Sequence, residues 1–133
     1  MSLRILVADD DVDMVEVLRM TISTMGHTAV AATTARSSIE QLAAGGFDGV
    51  LLDLTMPDMP PERLVSALLG IANRPPIVVF SARAAQETRA YADRLGAAML
   101  TKPCELGDLI DAVETNFAGG GASTKASGTL GAR

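Results

Sequence analysis

Five short runs of aliphatic and β-branched residues recur along the chain, at 3–8, 28–32, 49–52, 77–80 and 98–101. Apolar and polar positions do not alternate cleanly within them, so these runs read as strands buried on both faces. Between them the spacing changes. Val15, Leu18, Ile22 and Met25 recur at intervals of three and four, which places them on one face of a helix that Gly26 ends. Ile39, Leu42 and Ala43 mark a second helix stopped by Gly45 and Gly46, and Leu64, Val65, Leu68 and Leu69 mark a third. Leu106, Leu109, Ile110, Val113 and Phe117 mark the last. The fourth, about 85–95, has Tyr91 and Leu95 as its large apolar anchors and is otherwise rich in alanine. Fewer buried contacts mean lower local stability, so this helix is the expected movable element.

Strand alternating with helix five times predicts an α/β fold, a doubly wound, five-stranded parallel sheet with helices on both faces. The expected strand order is 2-1-3-4-5, the flavodoxin-like (βα)5 arrangement. In such a sheet the ligand crevice lies beyond the carboxyl ends of the strands, where strand order reverses, so function is expected after the first and third strands.

The chain has 133 residues, enough for one domain that folds without a disulfide or structural metal. From Gly119 to Arg133, five of fifteen residues are glycine and Leu130 is the one large apolar side chain. Burial cannot offset the ordering entropy of such a segment, so the expected division is a domain over 1–118 and a flexible tail or linker over 119–133. The apolar runs are far shorter than the ~20 residues a membrane span needs, and no secretory leader is evident. The cytoplasm is therefore the expected location. A net charge of −5 repels polyphosphate and argues against direct nucleic-acid binding. The single cysteine, Cys104, excludes an internal disulfide framework. It reads as a reduced thiol rather than a nucleophile, since the one histidine, His27, stands in a segment with no motif around it.

Asp9, Asp10 and Asp11 directly follow the first strand, where a nucleotide- or flavin-binding protein of this layout would carry a glycine- or hydroxyl-rich phosphate loop. Three carboxylates would repel that phosphate. Asp53 ends the third strand, so Asp9, Asp10 and Asp53 are expected in one crevice. Two carboxylates ~4 Å apart repel by about 4 kcal/mol at an effective dielectric near 20. A hard cation such as magnesium relieves this and leaves coordination places for phosphate oxygens. Lys102 follows the fifth strand with a compact positive charge, and Ser81 ends the fourth with a hydroxyl. The set suits phosphoryl transfer, with Asp53 as the nucleophile able to form an aspartyl phosphate. Asp11 and Asp13 read instead as helix N-terminal residues. The seven methionines read as core or surface filler.

The segments Ile5 to Asp11, Leu51 to Pro57, Val79 to Ala82 and Leu100 to Pro103 together resemble the receiver domain of two-component response regulators, over about residues 3–117. Each motif alone is weak, and the four in order are specific. The resemblance implies that Asp53 is the phosphoacceptor and that Asp9, Asp10, Asp53 and the Thr55 carbonyl hold Mg2+ or Mn2+. It implies that Ser81 and Lys102 bind the phosphoryl group, that Thr55, Ala82 and Arg83 tune its lifetime, and that the bond before Pro103 is cis. The implied partners are a histidine kinase or phosphotransfer protein, and an output domain or second copy on the face of the fourth helix, fifth strand and last helix. Such a chain is a signalling domain, not an enzyme in its own right, with slow autodephosphorylation.

Three positions depart from the family pattern. Met99 stands where an aromatic switch residue is common, Pro61 where a glycine is often found eight residues after the phosphoacceptor, and Cys104 where phenylalanine is common. Met99 and Pro61 leave a second reading open, a receiver-like interaction module that is not phosphorylated. A third is a small phosphatase of the haloacid-dehalogenase-like kind. Those enzymes commonly carry a second acid two residues after the nucleophile, where this chain has Thr55.

Overall fold

The computed structural model describes residues 2–81, 85–101 and 106–118, with the side chains of 81, 85, 101, 106 and 118 excepted. Five parallel strands, β1 (Arg4–Ala8), β2 (Thr28–Ala32), β3 (Gly49–Leu52), β4 (Ile77–Ser81) and β5 (Ala98–Thr101), form one sheet in the order β2-β1-β3-β4-β5. Helices α1 (Val12–Thr24), α2 (Ala35–Ala44), α3 (Pro61–Leu69), α4 (Ala85–Leu95) and α5 (Leu106–Val113) connect or follow them, and a π-helical turn over Glu114–Ala118 extends α5. The α/β fold and strand order are those expected from the apolar pattern.

Alternation within the strands sorts side chains between two cores, because successive residues of a strand point to opposite faces. Ile5 and Val7 join Leu51, Val78 and Phe80 under α1 and α5, where they meet Val15, Leu18, Ile22, Leu109, Val113 and Phe117. Leu6 and Ala8 join Val50, Leu52 and Val79 on the other face, against Leu42 of α2, Leu64, Val65 and Leu68 of α3, and Ala92 and Leu95 of α4. Burial on both faces is why these strands show so little polar alternation.

Local chemistry sets the helix ends. The Asp11 carboxylate accepts the N–H groups of Asp13 and Met14 at the start of α1, and Thr34 accepts that of Ser37 at the start of α2. Pro61 opens α3, where its missing N–H costs nothing. Gly26 and Gly45, just past α1 and α2, have φ of 91° and 85°, the left-handed region that glycine enters without steric cost. The expected apolar face of α3 is narrower than its sequence pattern. Leu69 is 38% exposed, because the helical repeat aligns Leu64, Val65 and Leu68 on the sheet and rotates their neighbour outward.

Helix α4 buries Thr88, Ala92 and Leu95, and Tyr91 is half-buried. The Thr88 hydroxyl has no hydrogen-bond partner among the described residues, a desolvation cost of about 1–3 kcal/mol for this helix. Arg94 of α4 reaches Glu62 of α3 at 3.0 Å across the surface, an exposed ion pair contributing under about 1 kcal/mol.

Candidate functional site

The register of the two central strands builds the site. Ala8 stands beside Leu52, so the next residues, Asp9 and Asp53, leave the sheet side by side. The ladder continues one step past the strands on both sides: Asp53 N–H donates to the Ala8 carbonyl at 2.8 Å, and Asp9 N–H to that of Ala32 at 3.0 Å. Asp10 adds a third acid. Carboxylate oxygens of Asp9, Asp10 and Asp53 all lie within 4.8 Å of one another. Asp9 is 1% and Asp53 4% exposed, whereas Asp10 faces solvent. Buried acids beside an exposed one make a cup open to water on one side.

Hydrogen bonds orient two of these carboxylates. Asp9 Oδ1 accepts the Asp11 N–H at 3.0 Å. Asp53 Oδ1 accepts both the Thr55 N–H at 2.8 Å and the Thr55 hydroxyl at 2.6 Å. The donors stabilise negative charge without cancelling it. What remains is a set of oxygen ligands at cation-chelating separation, which fits a hard divalent ion that keeps some of its waters. Thr55 was expected to act through its carbonyl, and its side chain proves to touch the central acid as well.

Other expected site residues are placed less fully. Ser81 is the last residue of β4, whose Val79 pairs with Leu52 of β3, so its backbone reaches the same rim as Asp53. Met99, in β5 opposite Val79, is half-buried against the core shared by α3 and α4. Ala82, Arg83, Lys102, Pro103 and Cys104 lie outside the described residues, as does the 119–133 tail. Asp11 caps α1 and Asp13 lies in its first turn, as expected, and both stay outside the cluster.

Two polar groups were not legible in the sequence. His27 Nδ1 accepts the Leu3 N–H at 3.0 Å, a structural bond at the opposite end of the sheet. Asp58, in the loop after β3, accepts the N–H groups of Ala35 at 2.8 Å and Arg36 at 3.0 Å, the first residues of α2. No sequence pattern reports a carboxylate that caps a helix 22 residues upstream.

The Asp58 carboxyl is held below the usual carboxylate range, chiefly by the Ala35 N–H. Desolvation opposes this, and the Arg36 N–H, its own N–H and the Arg36 charge each lower it further. A depressed folded-state pKa means that the ionised form favours the native chain. Its contribution is present above the ordinary aspartate value of about 4 and is lost as pH falls through the folded value. NMR titration should give Asp58 a midpoint below that of free aspartate, with the Ala35 and Arg36 amide shifts following the same curve. A midpoint at or above the ordinary value would contradict the grip on α2.

Comparison with known proteins agrees with this geometry. The family profile described as the response regulator receiver domain matches residues 5–114. The transcriptional regulatory protein QseB of Escherichia coli O157:H7 is 33% identical over 95 residues, covering 71% of this chain and 43% of QseB. The transcriptional regulatory protein PrrA of Mycobacterium tuberculosis is 30% identical over 114 residues, covering 85% of this chain and 49% of PrrA. The chain thus spans about half the length of these relatives. The CheY-like receiver domain protein of Methanospirillum hungatei JF-1 superposes with a TM-score of 0.81 at 22% identity, covering 95% of this chain and 99% of that one. Receiver domains are signalling modules rather than classical enzymes. This chain belongs to the response regulator receiver domain family of two-component signal transduction.

Proposed function

We propose that the chain is a phosphoacceptor module, charged on Asp53 by a histidine kinase or phosphotransfer protein. The observation that carries this reading is the meeting of Asp9, Asp10 and Asp53 within 4.8 Å at the carboxyl ends of β1 and β3. Those three carboxylates and the Thr55 carbonyl would hold Mg2+ or Mn2+, which supplies charge neutralisation on the transferring phosphoryl oxygens.

The remaining chemistry belongs to the chain's own residues. An Asp53 carboxylate oxygen attacks phosphorus in line, the new O–P bond forms, and the P–N bond of the donor phosphohistidine breaks with its electron pair returning to the imidazole. The Thr55 N–H and hydroxyl, both on Asp53 Oδ1, orient the carboxylate. Lys102 pairs with the phosphoryl oxygens and Ser81 donates a hydrogen bond to them. Water later hydrolyses the acyl phosphate, releasing phosphate and restoring the carboxylate. Thr55, Ala82 and Arg83 set the rate of this slow loss. Val12, 68% exposed at the start of α1 beside the acidic cup, offers the donor an apolar contact.

The output is a population shift of α4 and β5, driven by the new charge that Ser81 and Lys102 engage. The Thr88 hydroxyl, buried without a partner among the described residues, supports α4 as an element of low stability. Met99 replaces the ring of an aromatic switch with a flexible thioether. The face of α4, β5 and α5 then binds an output domain, an output protein or a second copy, without direct contact to nucleic acid or membrane. Residues 1–118 form the receiver and 119–133 a tail or linker, in a cytoplasmic protein. Among the described residues no helix is long and apolar enough to cross a membrane.

The test is incubation with a small phosphodonor and Mg2+, read by mass spectrometry. A gain of one phosphoryl group that EDTA prevents is expected. No gain would favour the module that binds partners without phosphorylation.

A further inference from the structure

The loop after β3 is held at three points around the acidic cup. Thr55 is bonded to Asp53, the Met56 side chain is buried, and Asp58 spans outward to α2. Both oxygens of the Asp58 carboxylate are engaged, one by the Ala35 N–H at 2.8 Å and the other by the Arg36 N–H at 3.0 Å. Two bonds from one planar group fix orientation as well as distance. The start of α2 is itself tied to the cup, since Ala32, at the end of β2, accepts the Asp9 N–H. A closed circuit therefore runs from Asp9 through Ala32, the first residues of α2, Asp58 and Thr55 to Asp53, whose N–H returns to Ala8 beside Asp9.

The geometry points to Asp58 as a positioning residue for the cation site, its grip on α2 setting where the Thr55 carbonyl stands relative to the Asp53 carboxylate. This rests on the reading of Asp9, Asp10, Asp53 and Thr55 as cation ligands. Asp58 is exposed and is not among the three converging acids, so it acts through the backbone rather than as a ligand. Helix α2 does not depend on it alone, because Thr34 caps the same end through the Ser37 N–H. Losing Asp58 loosens the loop and leaves the helix. Magnesium demands near-ideal octahedral geometry, whereas calcium accepts irregular oxygen cages, so a loosened carbonyl penalises magnesium more.

Isothermal titration of the whole chain with Mg2+ and with Ca2+ tests this. Asp58→Ala is expected to weaken Mg2+ binding about tenfold, the low end of what groups supporting a ligand contribute. Ca2+ binding should weaken by less than about threefold. Asp58→Asn, with one acceptor oxygen left, should fall between wild type and Asp58→Ala for Mg2+, and it carries the measurement if circular dichroism shows Asp58→Ala unfolded. Asp13→Ala, which removes the same charge from the start of α1, is the control for electrostatics alone. Equal losses for both ions, or a Mg2+ loss no larger than that of Asp13→Ala, overturns the proposal. Wild-type protein that binds Mg2+ beside an unaltered Asp58→Ala variant sinks the positioning role alone; wild-type protein without Mg2+ affinity sinks the cation site and this role with it.

Discussion

Asp53→Asn takes up no phosphoryl group from a small phosphodonor, while its circular dichroism matches wild type. An amide lacks the anionic oxygen that attacks phosphorus, yet it keeps an acceptor for the Thr55 N–H and hydroxyl that hold this side chain. Stability should respond in the opposite sense to activity. Asp53 and Asp9 are both buried and close, and their repulsion is of order 4 kcal/mol at ~4 Å and an effective dielectric near 20. Loss of the charge-assisted interactions of Asp53, those from Thr55 among them, offsets part of that relief. In EDTA the variant is expected to melt at or above the wild-type temperature. Added Mg2+ should raise the wild type more, since a ligand at a hundred times its Kd stabilises by about 2.7 kcal/mol. Undiminished phosphoryl uptake would rule out Asp53 as the acceptor.

Gly49→Ala should be among the most destabilising single-methyl additions in this chain. A Cβ at Gly49, the first residue of β3, would stand 2.3 to 2.5 Å from ring carbons of Phe117, closer than real side chains approach. Phe117 is 3% exposed in the π-helical turn after α5, within the core that α1 and α5 share, so its ring has little room to retreat. Overpacking of this kind costs about 1–3 kcal/mol. For a chain of this size that corresponds to a fall in Tm of roughly 5–10 °C. Phe117→Leu in the Gly49→Ala background should recover part of the loss by shortening the opposing side chain. A Tm within a degree or so of wild type for Gly49→Ala alone would show that the end of α5 yields freely.

The consequence for the site is indirect but physical. β3 carries Asp53 at one end and rests on Phe117 at the other, so a shift of the strand along its axis moves the acceptor. The paired registers of β1 and β3 resist such a slip, because moving by one residue would turn Leu51 and Leu52 to the wrong cores.

How much of this was legible follows from the range of each interaction. The strands and helices were readable because burial on both sheet faces leaves a local apolar signature, and Gly26, Gly45 and Pro61 punctuate it through their own backbone preferences. The convergence of Asp9 and Asp53 was readable for the same reason, since adjacency of the first and third strands follows from the doubly wound order and both acids directly follow their strands. The outward turn of Leu69 was not, because apolar identity does not say how wide a strip of α3 the sheet will cover.

The sequence by itself determined the order of elements, the sheet and the three acids at its rim, because those depend on periodicity and on position relative to strand ends. The tertiary structure alone decided that Thr55 donates its hydroxyl to Asp53, that Asp58 reaches back to α2, that Thr88 is buried without a partner among the described residues, and that Phe117 leaves no room for a side chain at Gly49. Two of these are contacts between residues far apart in the chain, and the other two depend on rotamers and burial that only packing selects.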